Sequence, residues 1–339
     1  MFKKSGLLTF YAETSLHMGS GTSLSYVDLP IQREKHTDFP IMQASGIKGV
    51  MKEFAERKWC EEVEKRLNSQ GNPEEAKTKT EINIANKEKI YEAIKTKVST
   101  IFGPEEGDKF ASCIVFTDAK ILLFPVRSVS GIFAWMTSPF VLKRFKRDLE
   151  SAGIEFKDNN EEIDIPEPSG EEKIIVANSI LKVQSTNQVM LEEFVFDVED
   201  GKSEEADKIA NKIKEFLPEN PAFQDLINEL PKRFCIVADN VFKDFVKLAV
   251  EIQTRIKINQ ATGIVEEGAL FTEELVPSES VFYSLVFFND PYNKINGLQN
   301  VDDVMNTTQN LFSNFPLLQL GGDETLGRGL LRVKFTQEK

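Results

Sequence analysis

The clearest chemical signal in the sequence is a glycine-rich run near its C-terminal end. Residues 320–329 read LGGDETLGRG, with four glycines between two apolar segments. Because glycine lacks a Cβ, such a run lets the backbone approach a ligand closely and present its N–H groups. Arg328 adds a guanidinium that can donate two hydrogen bonds to one phosphate. The run therefore predicts either a phosphate-contacting loop or a strained turn that only joins two strands.

The glycine spacing excludes two familiar nucleotide-binding motifs. A P-loop ends in Gly-Lys-Ser or Gly-Lys-Thr, which residues 320–329 lack, and the dinucleotide fingerprint places its glycines differently. A second candidate for anion binding is Lys48, near the start of a predicted helix. The N-terminus of a helix carries partial positive charge, so a lysine there favours an anion, although a lysine that is merely solvated has the same pattern.

The helix that would hold Lys48 is predicted from apolar periodicity. Ser45 can cap it, and apolar residues follow at helical spacing at positions 47, 50, 51, 54 and 55. A second helix is predicted to begin at Ser138, because a proline follows at the first helical position. Between the two helices, residues 61–100 are rich in Lys and Glu and predict an exposed helical insertion.

Strand-like and helical segments alternate irregularly through the chain. Strands are predicted at residues 7–14, 113–126, 234–237, 251–258, 281–287, 317–320 and 330–335. Helices are predicted at 241–249 and 301–312. This order predicts an α+β fold built on ferredoxin-like units rather than a doubly wound parallel sheet. We expect residues 1–339 to form one elaborated domain with insertions at 61–100 and 151–230.

Composition is that of a soluble globular protein and argues only weakly against a nucleic-acid partner. The 339 residues are 41% hydrophobic and 28% charged, with a net charge of -13 that opposes phosphate binding. Residues 151–230 hold 20 acidic and 7 basic side chains, so the remainder is neutral overall. The apolar runs are too short for a bilayer, the N-terminal stretch does not resemble a signal peptide, and the three cysteines lie far apart. A reducing cytoplasm and no membrane partner are expected.

Several segments, in order along the chain, resemble the RAMP superfamily, the RNA-binding subunits of CRISPR effectors. GGDETLGRG at 321–329 is similar to its C-terminal glycine-rich loop, and SGIKG at 45–49 is similar to its serine-x-x-lysine-glycine helix start. TRIKIN at 254–259 and GALF at 268–271 resemble its thumb hairpin, which would span 255–278. Together these segments resemble the repeated backbone subunit of the type III-B (Cmr) effector.

The resemblance implies a ferredoxin-like, RRM-like core and a subunit that polymerises along CRISPR RNA as a helical backbone. Other Cmr subunits, among them a small helical one, would join it, and single-stranded target RNA would pair with the guide. The thumbs of such subunits push between bases of that duplex at regular intervals. Guide contacts are then expected at Ser45, Lys48, Arg255, Gly321, Gly322, Gly327 and Arg328. Apolar residues that replace lost base stacking are expected at Ile264, Val265 and Phe271.

The resemblance also implies a cleavage site at Asp28, in the long loop 17–35. A carboxylate there can hold a divalent cation (Mg²⁺ or Mn²⁺) or orient the 2′-hydroxyl of RNA, whereas an isolated loop aspartate is otherwise a turn cap. His17 in the same loop suits general acid–base work. Glu273 or Glu274 in the thumb would complete the site, although the family has an aromatic residue where this sequence has Leu275.

These residues allow three functions, which differ in the role of Asp28 and of the acidic residues. The first is a metal-dependent endoribonuclease of antiviral defence that cuts guide-paired target RNA, with Asp28 essential. The second is a scaffold that binds guide RNA without catalysis, in which Asp28 has no chemical role. The third is an unrelated metal-dependent hydrolase, which is disfavoured because the acidic residues are concentrated in linker-like and helical segments rather than in a converging set.

Overall fold

The computed structural model describes most of the chain. The described residues are 2–22, 27–69, 79–105, 109–177, 180–184, 186–219, 221, 224–259 and 261–337. Parts of the predicted loop 17–35 and of the regions 61–100 and 151–230 lie outside these residues. Within them no helix has both the length and the apolar character that a membrane crossing needs.

The described part of the chain has an α+β architecture. Its strands are β1 (Lys4–Ala12), β2 (Ile41–Met42), β3 (Ile114–Phe116), β4 (Ala119–Arg127), β5 (Phe133–Thr137), β6 (Lys157–Asp158), β7 (Glu161–Glu162), β8 (Lys173–Val176), β9 (Gln188–Leu191), β10 (Phe194–Val198), β11 (Phe234–Val237), β12 (Glu251–Ile258), β13 (Val265–Leu275), β14 (Val281–Phe288), β15 (Leu317–Gln319) and β16 (Leu330–Gln337). Its helices are α1 (Ala44–Ser69), α2 (Lys79–Phe102), α3 (Pro139–Ser151), α4 (Ser203–Phe216), α5 (Gln224–Asn228), α6 (Leu230–Arg233), α7 (Asp239–Leu248) and α8 (Val301–Asn314).

One large mixed sheet organises the molecule. Its strand order is β15-β16-β1-β14-β4-β5-β11-β8-β10-β9, with β2 paired to β4 and β3 to β14. Most pairs are antiparallel, but β5 with β11 and β8 with β10 are parallel. The β12–β13 hairpin stands apart as its own two-stranded antiparallel sheet between α7 and β14. Its strands begin at Glu251 and end at Leu275, so the hairpin overlaps the segment 255–278 expected from resemblance, and its role as a thumb stays a prediction.

Local signals explain the two helices that were predicted with start sites. At α3, Ser138 accepts a hydrogen bond from the Val141 backbone N–H and Pro139 is the first helical residue, as predicted. At α1 the predicted cap is wrong. The helix already begins at Ala44, whose N–H donates to Asp118 Oδ1 over 2.7 Å. Ser45 lies within the first turn and is exposed. Asp118, which is distant in the chain, therefore accepts the hydrogen bond that was predicted for Ser45.

The acid-rich region 151–230 contributes to the core more than its composition suggests. It supplies β8, β9 and β10 to the large sheet, and α4 buries Ile209 and Ile213 against it. Helix α2 likewise buries Val98 and Ile101. Composition pointed away from the core because the buried apolar positions of these segments alternate with many charged ones. The division of the chain into one domain with insertions at 61–100 and 151–230 stays a prediction.

Candidate functional site

The β12–β13 hairpin has two chemically different faces, because successive residues of a strand point to opposite sides. On one face Ile252 and Ile256 of β12, with Leu270 opposite Ile256, are about half or more exposed. On the other face Gln253 and Arg255 are partly buried and point toward the glycine-rich run. The hairpin therefore offers an open apolar surface on one side and a polar contact surface on the other.

Glycines of the run allow it to pack closely on the segment around His17. Gly321 has a φ of +101°, and a Cβ on it would lie 2.5 Å from the His17 carbonyl oxygen. The Gly322 N–H donates to that oxygen over 2.8 Å. Gly329 has a φ of +67°, and its Cβ would lie 1.9 Å from the Leu320 carbonyl oxygen. Side chains at 321 and 329 are excluded by backbone contacts inside the protein.

Gly327 differs from these glycines in its surroundings. It follows a short 3-10 helix, Glu324–Leu326, and has a φ of +74°. A Cβ on Gly327 would meet nothing within 4 Å, and the residue is exposed. Glycine is therefore favoured at 327 by the backbone conformation of the turn, and the space beside it is open.

Arg328 connects the glycine-rich run to the hairpin. Its Nη1 donates to Ser15 Oγ over 2.9 Å and its Nη2 donates to Gln253 Oε1 over 2.6 Å. Two donors of the predicted phosphate fork are thus used within the protein. A phosphate would have to share or replace these contacts to reach Arg328.

Arg255 holds two carboxyl groups together on the polar face of the hairpin. Its Nη1 donates to Glu273 Oε2 over 3.0 Å and to Asp323 Oδ2 over 2.6 Å. Burial raises the pKa of Glu273, which is only 3% exposed, and its hydrogen bond with Asp323 raises it further. Burial also pushes the pKa of Asp323 upward, but hydrogen bonds from Arg255 and Glu273 outweigh it and lower the pKa. The pair therefore favours a proton on Glu273 and a negative charge on Asp323.

His17 is placed between the hairpin and the glycine-rich run with a defined tautomer. Its Nδ1 lies 2.8 Å from the Glu274 carbonyl oxygen, which can only accept, so Nδ1 carries the proton. The Nε2 atom lies 3.7 Å from Glu273 Oε1. The imidazole is buried, with its second nitrogen directed to the Glu273 carboxyl group. At 3.7 Å the imidazole and the carboxyl group interact electrostatically and do not share a hydrogen bond.

Asp28 is held on β13 by Thr272. The Thr272 backbone N–H and hydroxyl donate to Asp28 Oδ2 over 2.7 and 2.9 Å, and the Asp28 N–H donates to Thr272 Oγ1 over 3.0 Å. The backbone hydrogen bond, followed by the hydroxyl, lowers the pKa of Asp28 from its usual 3.8. Asp28 is exposed, and Leu29 continues the contact as a parallel bridge to Glu273. The structure thus presents an ionised carboxylate at the hairpin.

The four acid–base candidates divide into separate groups. Thr272, which binds Asp28, and Glu273, which faces His17, are adjacent on β13 and so point to opposite faces. Among the described residues no hydrogen bond or ion pair joins Asp28 to His17 or Glu273. The structure therefore brings His17 and Glu273 together and keeps Asp28 on the neighbouring side of the same strand.

Glu274 fastens the segment that follows Asp28. Its buried carboxylate accepts from Arg33 Nη2 over 2.6 Å and from the Ile31 N–H over 2.9 Å. Arg33 Nη1 also donates to the Val246 carbonyl oxygen over 2.9 Å. Both oxygens of Glu274 are thus engaged in holding the loop to the hairpin and to α7.

The remaining predicted RNA contacts differ in accessibility. Ile264 and Val265 are exposed at the far end of the hairpin, 68% and 44%. Phe271 is partly buried, and the Arg255 guanidinium lies 5.7 Å from the centre of its ring. Lys48 is partly buried, and burial, followed by repulsion from Lys52, lowers its pKa. Ile264 and Val265 are therefore open to a ligand, whereas Phe271 belongs to the polar face.

Sequence reasoning missed three residues of this site. Thr272 and Arg33 carry no local signal, because their partners lie far away in the chain. Asp323 adopts a left-handed φ of 58°, a region in which aspartate is enriched, and its place among the glycines of the run was the available signal in the sequence.

The donors available for a metal ion are few. Among the described residues no three His, Cys, Asp or Glu side chains gather closely enough to hold one. Asp28 offers an exposed carboxylate beside β13. One carboxylate is nevertheless a sufficient protein ligand for Mg²⁺ where phosphate oxygens and water supply the others.

Comparison with known proteins gives a consistent family assignment. The family model described as the RAMP superfamily matches residues 9–332. The chain is 35% identical over 333 residues to the CRISPR system Cmr endoribonuclease Cmr4 of Pyrococcus furiosus, covering 97% of this chain and 95% of the relative. It is 25% identical to the CRISPR system CMR subunit Cmr4 of Saccharolobus solfataricus, covering 96% and 95%.

Solved structures agree with these relatives. The crystal structure of oligomeric Cmr4 from Pyrococcus furiosus superposes with a TM-score of 0.65 at 29% identity, covering 98% of both chains. A chain of the type III-B Cmr-beta complex bound to cognate target RNA superposes with a TM-score of 0.66 at 21% identity, again over 98% of both chains. At that identity the second likeness concerns the fold alone.

Proposed function

The chain belongs to the RAMP superfamily, and on that premise we propose that it is a backbone subunit of a type III-B CRISPR effector that binds CRISPR RNA and cleaves complementary target RNA. The likeness to an endoribonuclease extends over 97% of the chain. The observation that carries the proposal is the exposed, ionised Asp28 carboxylate held by Thr272 on the hairpin. The core is proposed to be ferredoxin-like, with β12–β13 as the thumb.

The chemistry proposed for Asp28 follows from its lowered pKa. Cleavage through the 2′-oxygen requires that hydroxyl to be oriented toward the adjacent phosphorus while negative charge develops on the phosphate. A carboxylate with a depressed pKa is a weak base, so Asp28 orients the hydroxyl rather than removing its proton. A divalent cation, Mg²⁺ or Mn²⁺, held by Asp28 with phosphate oxygens and water would stabilise the developing charge.

Proton transfer is assigned to His17 and Glu273. The Glu274 carbonyl oxygen fixes Nδ1 of His17 as a donor, so Nε2 is the nitrogen proposed to take the proton of the 2′-hydroxyl and to return it to the leaving 5′-oxygen, with the Glu273 carboxyl group beside it. Both side chains are buried on the polar face of the hairpin, whereas Asp28 is held on the face that also carries Ile256 and Leu270. To take part in cleavage, the pair requires RNA to reach the polar face as well.

RNA binding is assigned to surfaces on both sides of the hairpin. Ile264 and Val265 at its far end, with the exposed Ile256 and Leu270, would fill the space left by unstacked bases. Lys48, the exposed Ser45 and the open turn at Gly327 would contact the guide backbone. Copies of the chain would line up along one guide, and a small helical subunit of the effector would join them.

The proposal is tested by reconstituting the effector with guide RNA and a labelled complementary RNA. Asp28→Asn keeps the shape of the side chain and removes its charge, so orientation of the 2′-hydroxyl is lost and cleavage should fall by about 10²-fold. Guide retention, measured by filter binding, should be unchanged. Asp200→Asn, at an exposed aspartate in the acid-rich region, is the matched control.

The same experiment separates catalysis from the scaffold alternative. If Asp28→Asn cuts the target at the wild-type rate, Asp28 has no chemical role, and the chain is better described as a scaffold that binds guide RNA. Loss of assembly together with cleavage would assign Asp28 a structural role.

A further inference from the structure

A groove on the acid-rich side of the molecule has no role in the proposed cleavage. It has a volume of about 690 Å³ and lies between α7 and the β9–β10 turn. Its floor contains Phe245, which packs edge-to-face on Phe194 with 5.7 Å between ring centres. Phe194, Val195 and Leu248 are 50%, 53% and 72% exposed. Three large apolar side chains in one open groove are typical of a binding surface.

The α7 side of the groove is a helix face that Phe194 and Phe196 of β10 cover only in part. Val241, Asp244, Phe245 and Leu248 recur at i, i+3, i+4 and i+7 along α7, so they form one stripe. On a helix of a globular protein, such a stripe normally packs on another element. Here it faces the groove.

The rim of the groove is entirely acidic among its described lining residues. The carboxylates are those of Glu171, Glu172, Glu192, Glu193 and Asp244, and no lysine or arginine lines the groove. Arg127 pairs with Glu192 over 2.9 Å from outside. The phosphates of guide or target RNA are repelled by such a rim. The acid-rich region of a second copy, which accounts for the net charge of -13, is repelled in the same way.

We infer that this groove docks a protein partner through a segment with apolar side chains flanked by lysines and arginines. The apolar side chains would fill the space beside Phe194 and Leu248, and the basic ones would pair with Glu193 and Asp244. Residues 249–250 join the groove directly to β12, so the partner would be seated at the base of the hairpin. The inference rests on the proposed function, since it places a further effector subunit beside the cleavage site.

The test uses the reconstituted, guide-loaded effector and identifies its subunits by native mass spectrometry. Val195→Ser combined with Leu248→Ser removes apolar surface at exposed positions where folding is little affected. Glu193→Lys combined with Asp244→Lys reverses the rim charge. The matched controls are Ile132→Ser, 78% exposed outside the groove, and Glu204→Lys on α4.

The expected result is that both groove variants lose one basic protein subunit, with at least tenfold weaker retention. Guide RNA and the number of copies of this chain should stay as in the wild type, and both controls should keep every subunit. Retention of all subunits by the groove variants would overturn the inference, and so would loss of copies of this chain, which would make the groove a self-interface. Failure of the wild type to retain guide would instead count against the proposed function.

Discussion

At the scale of single residues, the contact between Asp28 and Thr272 decides how the carboxylate is presented. Thr272→Val removes the hydroxyl donor but keeps the backbone N–H, so orientation of Asp28 is weakened. We expect single-turnover cleavage at neutral pH to fall about tenfold, which corresponds to about 1.4 kcal/mol of transition-state free energy. Thr272→Ser keeps the hydroxyl and should cleave like the wild type. Equal losses in both variants would show that the hydroxyl is not what matters.

Thr272→Val should also raise the pKa of Asp28. Hydrogen bonds from Thr272 lower the pKa of Asp28 below 3.8, so the carboxylate stays ionised as the pH falls into the ordinary aspartate range. Without the hydroxyl, the pKa of Asp28 should rise toward 3.8. A carboxyl-carbon NMR titration, with Asp28 assigned from Asp28→Asn, should show this upward movement in Thr272→Val. An unchanged midpoint would contradict the assigned cause.

At the scale of elements, alanine substitutions in the glycine-rich run should destabilise the protein to different degrees. Gly327→Ala costs only the left-handed backbone conformation, about 1 to 2 kcal/mol, because a Cβ there meets nothing within 4 Å. Gly329→Ala adds a collision with the Leu320 carbonyl oxygen and should cost at least about 3 kcal/mol. Urea unfolding of the free chain measures both. Equal losses would mean that the run adjusts without strain.

Glu279, in the turn between β13 and β14, should make the stability of the protein depend on pH. Burial raises the pKa of Glu279 to about 7, and its buried Oε2 has no hydrogen-bond partner. With an ordinary pKa of 4.5 in the unfolded chain, the stability that the protonated group contributes is present below pH 4.5 and is lost as the pH rises through 7. Glu279→Gln should therefore gain stability over the wild type between pH 5 and 8. A stability difference that does not change with pH would contradict this.

Elements with local signals could be predicted from sequence, and contacts between distant elements could not. Helix α3 was predicted because Ser138 and Pro139 mark its start within the segment itself. The bounds of β11 and β12 follow apolar runs and strand periodicity in the same way. Asp28 and Thr272 are 244 residues apart, so no spacing rule relates them. Arg255 could be recognised as a cation, but its carboxylate partners appear only when the glycine-rich run meets the hairpin.

At the scale of the whole molecule, the distribution of charge predicts where guide RNA binds. The acid-rich region accounts for the net charge, and Lys48 and Lys52 lie on α1 away from it. Lys48→Glu with Lys52→Glu should weaken guide binding. The negative slope of log affinity against log salt should become shallower by about 0.7 for each lost phosphate contact. Lys208→Glu on α4 should change neither quantity. An unchanged slope in the α1 variant would place the guide elsewhere.

The proposal that this chain cleaves guide-paired RNA is tested most directly by mapping the cuts. A complementary RNA labelled at one end is incubated with the wild-type, guide-loaded effector, and the products are sized at nucleotide resolution. If this chain cleaves guide-paired RNA, the cuts fall at one constant spacing, one for each hairpin along the guide, and a non-complementary RNA is not cut. Irregular cuts, or the same cuts in the non-complementary RNA, would contradict it.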